Sequence, residues 1–310
     1  MKTVLIPQDH TQFFFSCVAL GNFDGVHRGH QLLIRTCETL AKEHNLSSIV
    51  YTFFKHHRAY FGNFHEVITE NSAKEYVINK LFDVDFLAFQ TLDDAFLNQT
   101  PEQFVKTVLK DTLHAKIVTV GEHYSFGKGG AGDATLLKSL CENEGIKVVI
   151  VPLMTENGEM LSSTAVRRAV QCGDMDKANR ILGYDFFMAG TIVHGNHIGS
   201  AIGFPTVNVV PAPDQLLPRF GVYATKTVIE NKEYDGVTNI GLKPTIGSDR
   251  PVAETHLFAV HSDLYGKTAH VKFIQMLRPE QKFASIEELK AQIARDKEHA
   301  KAYLGTDKTE

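Results

Sequence analysis

Apolar and polar positions change rhythm near the middle of the chain. Up to about residue 183, short apolar runs alternate with stretches whose apolar residues recur every three or four positions. The runs "FFFSCVAL" (13–20), "SSIVYTFF" (47–54), "VDFLAFQ" (84–90), "AKIVTVG" (115–121) and "KVVIVPL" (147–153) read as buried strands. The spacing between them predicts helices over 30–44, "SAKEYVINKLF", "TPEQFVKTVLKDTL" and "DATLLKSLCENEG". Leu33, Cys37, Leu40 and Ala41 share the inner face of the first helix, and Thr100, Pro101 and Gln103 supply N-cap, N1 and N3 of the third. Strictly alternating strands and helices predict a parallel sheet with helices on both faces and ligands past the carboxyl ends of the strands.

After a helical pair, "SSTAVRRAVQCGDMDKANRILG", the pattern shortens. From Phe186 to about Phe273 alternating runs are punctuated by turn residues, with hairpin connections expected at Asn231-Lys232 and Asp263–Gly266. That pattern predicts an antiparallel barrel or sandwich. A last helix follows, capped by Ser285 with Glu288, with Ile286, Leu289 and Ile293 on one face. The domain boundary is expected near Gly183–Phe187, giving domains 1–183 and 187–310.

Composition narrows the function classes. A 310-residue chain with 43% hydrophobic and 22% charged residues is ordinary for a globular protein with two cores. The net charge of −4 argues against nucleic acid and anionic membranes as partners, leaving small molecules. No run is long enough to span a bilayer, and "MKTVLIPQDH" turns polar too early for a secretory segment. Cys17, Cys37, Cys141 and Cys172 form no ligand pattern and read as reduced thiols, so a cytoplasmic location is expected.

Three strings carry chemistry. In "GNFDGVHRGH" (21–30), His27 and His30 stand on a glycine-loosened turn between a strand and a helix. Free N–H groups at a helix start, with two imidazoles nearby, suit a phosphate and the charge that builds as it is attacked. In "LSSTAVRRAV", hydroxyls open a helix and Arg167 sits one turn in, which suits outer phosphates; alone, the string is a good helix cap. In "GFPTVNVV", the Thr206 hydroxyl and Asn208 carbonyl are hard oxygen donors suited to Mg²⁺, and Glu254 in "AETHLF" is the natural base for an alcohol. Taken alone, these are also a tight turn and a solvent-facing carboxylate.

In this order the motifs resemble the bifunctional prokaryotic riboflavin kinase/FAD synthetases, over nearly the whole chain: "GNFDGVHRGHQ", "VGEHYSFGKGGAGD", "LSSTAVRR", "GFPTVNV", "NIGLKPTIG", "AETHLF" and "LRPEQKF". The resemblance implies a nucleotidyltransferase-type, Rossmann-like α/β domain followed by an antiparallel β-barrel riboflavin kinase domain with a C-terminal helix. It implies two ATP- and Mg²⁺-dependent reactions: riboflavin to FMN in the barrel, then FMN to FAD with release of pyrophosphate. By resemblance, Glu254 is the kinase base and Thr206 and Asn208 place Mg²⁺–ATP. His27 and His30 hold the α-phosphate region. Asn22, Phe23, Asp24 and Gly25 line the nucleotide, and Ser163, Thr164 and Arg167 take the outer phosphates. His56, His123 and Arg278 face flavin. The resemblance also allows a homo-oligomer. Two departures stand out: "TFFKHHRAYF" carries Lys55 and His57 where the family has prolines around His56, and His123 replaces an asparagine. They motivate an alternative reading, a kinase with a weakened or lost adenylyltransferase half; a non-catalytic flavin-binding regulator is a further alternative, against which the intact Glu254 and His27/His30 argue.

Overall fold

The structure is a computed structural model, and it describes residues 1–9, 11–54, 66–194, 204–242, 251–258 and 264–306. The chain divides into two compact units, Met1–Ser163 and Thr164–Glu310.

The first unit is built on six strands: β1 (Lys2–Ile6), β2 (Ser16–Leu20), β3 (Ser47–Phe53), β4 (Phe86–Gln90), β5 (Ala115–Gly121) and β6 (Lys147–Val151). All neighbours are parallel, in the order β1-β4-β3-β2-β5-β6. The expected parallel sheet is therefore present, with one further strand not expected from the sequence: β1, an edge strand with alternating burial, pairs along β4 from Lys2↔Phe86 to Ile6↔Gln90. β2 is buried throughout, which is why it reads as an unbroken apolar run. It starts at Ser16, later than expected, where the Ser16 N–H donates to His114 O and its hydroxyl to Leu113 O. Phe14 and Phe15 precede it and are exposed.

The longer helices beside these strands, among the described residues, are α1 (Arg28–His44), α2 (Asn71–Leu81), α3 (Pro101–Gln103, continuing as a π-helical stretch Phe104–Thr112) and α4 (Ala134–Asn143), with a single turn at Asp94–Leu97. α1 buries Leu33, Ile34, Cys37 and Ala41 and ends on Asn45, whose left-handed φ of 52° lets its N–H reach Ala41 O and Lys42 O. In α3 the predicted capping box forms between Thr100 and Gln103. The chain runs from β2 through β3 to β4, then returns to place β5 on the other side of β2. The sheet therefore reverses direction between β2 and β5, and a ligand crevice forms past the strand ends at such a reversal.

The second unit opens with α5 (Ser163–Cys172, whose first residue closes the first unit) and α6 (Met175–Leu182), followed by β7 (Phe187–Val193), β8 (Val207–Pro211), β9 (Gly221–Ile229), β10 (Lys232–Leu242), β11 (Pro251–Leu257) and β12 (Thr268–Pro279). α7 (Ile286–Leu304) follows the strands. The strands close into an antiparallel barrel, β7-β8-β11-β10-β9-β12. The two units part about twenty residues before the boundary expected from the sequence, because the α5–α6 pair is tied to the barrel. Asn179 donates through Nδ2 to Phe273 O and accepts from the Phe186 N–H, while the Arg219 N–H donates to Val170 O.

Three local expectations are corrected. The β9–β10 turn is Glu230-Asn231, with φ 49° and 64°, one residue earlier than read, because Lys232 already pairs with Ile229. The connection after β11 is not a hairpin: β11 pairs with β8 and β10, whereas β12 pairs with β7 and β9; Asp263 itself lies outside the described residues. On α7, Ile286 is exposed and the buried positions are Asp296 and Ala300. Inside the barrel, Thr225, Thr238 and Thr255 are fully buried on three adjacent strands, and their hydroxyls link at 2.7 and 2.8 Å. Each buried hydroxyl is thereby satisfied without water.

The barrel is tight where β7 meets β8. A Cβ on Gly190 would overlap the Val210 carbonyl oxygen, and backbone on both sides cannot yield. Gly190→Ala is expected to destabilise the second unit by about 1–3 kcal/mol, read as a lower unfolding midpoint in urea.

Candidate active sites

The first site grows from the turn that joins β2 to α1. Phe23 and Val26, with φ 47° and 37°, and Gly25, with φ 79°, bend the chain back under itself. At Gly25 a Cβ would press on the Ile68 side chain, so glycine serves both the backbone angle and the packing. Asp24 is buried; its carboxylate accepts from the Ile68 and Thr69 N–H groups at 2.8 and 3.2 Å. The Gly25 N–H donates to Thr69 Oγ1 at 3.0 Å, and the Ser163 hydroxyl donates to Asp24 O at 2.8 Å.

His27 is the N-cap of α1, and its Nδ1 accepts from the His30 N–H at 3.4 Å. An accepting Nδ1 places the proton of the neutral ring on Nε2, leaving that N–H as a donor. The two rings stack, with centroids 3.7 Å apart. Gly29 permits this, because a Cβ there would come within 3.2 Å of the His27 ring. Burial lowers the His27 pKa to about 4. His30 is pushed well below the usual histidine value, first by burial and then by His27 and Lys74. Both imidazoles are thus neutral at pH 7, and they serve an anion as hydrogen-bond donors rather than as cations.

Beside this turn lies a cavity of about 440 Å³, lined by Asn22, Phe53, Phe96, Phe104, His123 and Tyr124 among others. Its aromatic walls suit a flat ring system. Of the residues expected to face flavin, His123 lies here, whereas His56, with Lys55 and His57, falls outside the described residues. Thr164, exposed, and Arg167, half-buried, follow Ser163 on α5.

The second site is a cavity of about 340 Å³ against the outer wall of the barrel, lined by Thr206, Asn239, Glu254, His256, Arg278 and Asp296 among others. The Thr206 hydroxyl donates to Glu254 Oε1 at 3.2 Å, and Asn208 stands directly opposite Glu254 in the β8–β11 ladder. These are hard oxygen donors of the kind Mg²⁺ takes, so the donor set fits that ion. No cluster of three His, Cys, Asp or Glu side chains suited to a metal occurs among the described residues. Arg278 donates from Nε and Nη2 to the Asp296 carboxylate at 2.8–3.1 Å, and Gln292 adds a bond to Asp296 Oδ1 at 2.8 Å. This fork fixes α7 on β12 and aims Arg278 along the cavity wall.

Sequence reasoning missed several of these groups. His256 is buried with its Nδ1–H donating to Pro205 O at 2.8 Å, which anchors the turn that carries Thr206. Burial, opposed by that carbonyl, lowers its pKa. Asp296 and Lys74 are also buried charges. The signal was available in part: Lys74 shares a helix face with Val77, Ile78 and Leu81, where a cation is out of place.

Comparison with known proteins agrees with this layout. A family model described as FAD synthetase matches residues 11–165, and one described as riboflavin kinase matches residues 182–304. A bifunctional riboflavin kinase/FMN adenylyltransferase of Listeria monocytogenes is 34% identical, over 98% of both chains. One of Escherichia coli is 36% identical, over 94% of both. A solved structure from Streptococcus pneumoniae, described as a macrolide-efflux protein, superposes with a TM-score of 0.86 at 29% identity, covering 96% of this chain and 98% of that one. Among the described residues of the present chain, no helix is long and apolar enough to cross a membrane.

Removing one partner of the Arg278–Asp296 fork leaves a half-buried guanidinium without its carboxylate. Asp296→Ala is expected to lower the stability of the second unit by about 3 kcal/mol, measured as a shift in its urea midpoint.

Proposed function

The chain belongs to the family of bifunctional riboflavin kinase/FMN adenylyltransferases, and from that premise we propose how its residues divide the two reactions. Domain 187–310 is read as the kinase and domain 1–183 as the adenylyltransferase. The observation that carries the kinase assignment is the contact of Thr206 with Glu254 at the mouth of the barrel cavity.

In the kinase step, riboflavin's 5′-hydroxyl is a weak nucleophile and needs a base. Glu254 takes its proton as the γ-phosphate of ATP is transferred, giving FMN and ADP. The hydrogen bond from Thr206 holds the carboxylate in one orientation. Thr206 and Asn208 would hold Mg²⁺, which when bound neutralises phosphate charge. Arg278, fixed by Asp296, lines the same cavity and is placed to contact the flavin end.

In the adenylyl step, the phosphate of FMN attacks the α-phosphorus of ATP and pyrophosphate leaves. The attacking group is already an anion, so positioning and charge stabilisation dominate. The neutral His27 and His30 donate to the α-phosphate region, with Asn22, Phe23 and Gly25 around them. Asp24 lines the nucleotide through its backbone, since its side chain is engaged elsewhere. Ser163, Thr164 and Arg167 are assigned to the departing phosphates. The aromatic cavity takes the isoalloxazine ring, with His123 and His56 on the flavin side. His123, in that cavity's wall, is the observation that favours the second reading of a weaker adenylyl step. The negative net charge supports leaving nucleic acid out of the partners, and free cysteines at all four positions fit a reducing compartment such as the cytoplasm. Self-assembly rests on the resemblance alone.

Glu254→Gln is expected to abolish FMN formation while sparing FAD formation from supplied FMN; equal loss of both would overturn the separate sites. His27→Ala or His30→Ala should slow adenylylation by roughly 10²–10³-fold. Chromatography of riboflavin, FMN and FAD over time in ATP and Mg²⁺ checks each. Accumulation of FMN without FAD in the unaltered protein would favour the weakened second half.

A further inference from the structure

The buried cation nearest the histidine turn is Lys74, near the start of α2, only 6% exposed. Its ammonium donates to Asn22 O at 2.9 Å and lies 3.4 Å from Thr52 Oγ1, at the end of β3. The Thr52 hydroxyl donates to the same Asn22 carbonyl at 3.0 Å. One carbonyl oxygen is therefore held by two donors from two other elements, and the peptide unit between Asn22 and Phe23 is fixed in orientation. In a trans peptide the N–H points opposite to the C=O. The Phe23 N–H is thus turned away from Lys74, and it has no hydrogen-bond partner among the described residues although Phe23 is fully buried. A buried N–H without an acceptor is costly, so the turn keeps this orientation only because the clamp on the Asn22 carbonyl holds it.

We propose that Lys74 is a positioning residue for adenylyl transfer: by clamping the carbonyl of Asn22, a residue that lines the cavity, it fixes the turn that leads to His27 and His30, and its charge supplies the positive potential that the two neutral imidazoles lack. This rests on reading the His27–His30 turn as the adenylyl-transfer site.

The charged and titratable groups facing the ammonium are Asp24 from the turn, Glu70 from the cap of α2, and His30 and His27 from α1; the Phe89 ring of β4 lies 5.9 Å away. Burial pulls the Lys74 pKa down to about 8, opposed by Asp24 and Glu70. The ammonium is therefore charged at pH 7 and loses its proton as pH rises through 8. A clamp and a charge would both weaken over that interval.

The test is the pH dependence of FAD formation from supplied FMN in the full chain. The unaltered enzyme should lose kcat as pH rises through 8. Lys74→Arg keeps its charge and should hold its rate to higher pH. Lys74→Met should be slower by about 10- to 100-fold at pH 7, with FMN formation by the same chain unchanged. Thr52→Val, which removes the second donor to Asn22 O, should slow adenylylation in the same direction but by less. Identical alkaline limbs for the unaltered and Lys74→Arg enzymes, or a Lys74→Met rate within twofold, would overturn the proposal. His30→Ala is run in parallel: if it keeps its rate, the reading of the site itself fails. If His30→Ala is slow while Lys74→Met is not, only the role of Lys74 fails.

Discussion

The first unit depends on one buried carboxylate. Asp24 accepts two backbone N–H groups from the segment before α2, and its own carbonyl accepts the Ser163 hydroxyl at the start of α5. Three stretches far apart in sequence, around residues 24, 68 and 163, are thereby held at the end of the sheet. A buried carboxylate is costly unless its oxygens are filled, so this arrangement admits few alternatives. The positive φ angles at Phe23, Gly25 and Val26 persist because the surrounding bonds over-determine them. Everything assigned to adenylyl transfer hangs from this brace: the capping His27, the stacked His30, and the crevice where the sheet reverses.

The electrostatics of that site differ from the expectation raised by two histidines. Counted as residues, they suggest a cationic grip on phosphate. Counted as buried rings 3.7 Å apart, they cannot both be charged, since each disfavours protonation of the other and burial disfavours both. What they supply is direction. His27 accepts from the α1 backbone on one nitrogen, which leaves the other as a donor of defined orientation. Neutral donors held in place need no reorganisation when charge develops, and this is the form of stabilisation most effective away from water.

Much of this was legible in the sequence, and the reasons for the gaps are physical. Strands buried on both faces, such as β2 and β3, read directly as apolar runs, and the edge strand β6 was visible from its Val-rich string despite an exposed Ile150; β1, at the other edge and with an alternating burial pattern, was not recognised. Motif residues close in sequence, such as His27 with His30 or Thr206 with Asn208, were found because their spacing is local. Lys74 acts on a carbonyl 52 residues away, and Asp296 on an arginine 18 residues away across a strand and a loop. A single buried charge leaves only a faint mark, a wrong residue on an apolar face. The closing helix was placed correctly by its capping signal: Leu289 and Ile293 are half-buried and line the barrel cavity, on the stripe that continues to the buried Asp296 and Ala300, and only Ile286, in the first turn, is exposed.

The two sites treat their carboxylates in opposite ways, and the two reactions explain why. Glu254 is half-buried, lines a cavity and accepts from the Thr206 hydroxyl. A carboxylate that lines the cavity suits the role of base proposed for it, since phosphoryl transfer to a neutral alcohol requires one. Asp24, in the turn proposed to take phosphate, is buried, and one of its oxygens already accepts two backbone N–H groups. It stabilises backbone rather than exchanging protons. Attack by the phosphate of FMN asks for no base, and a loose carboxylate there would repel both the incoming anion and the triphosphate. Held on the Ile68 and Thr69 N–H groups, Asp24 keeps the geometry of the turn while its charge faces the Lys74 ammonium, which offsets the repulsion an unpaired anion would bring.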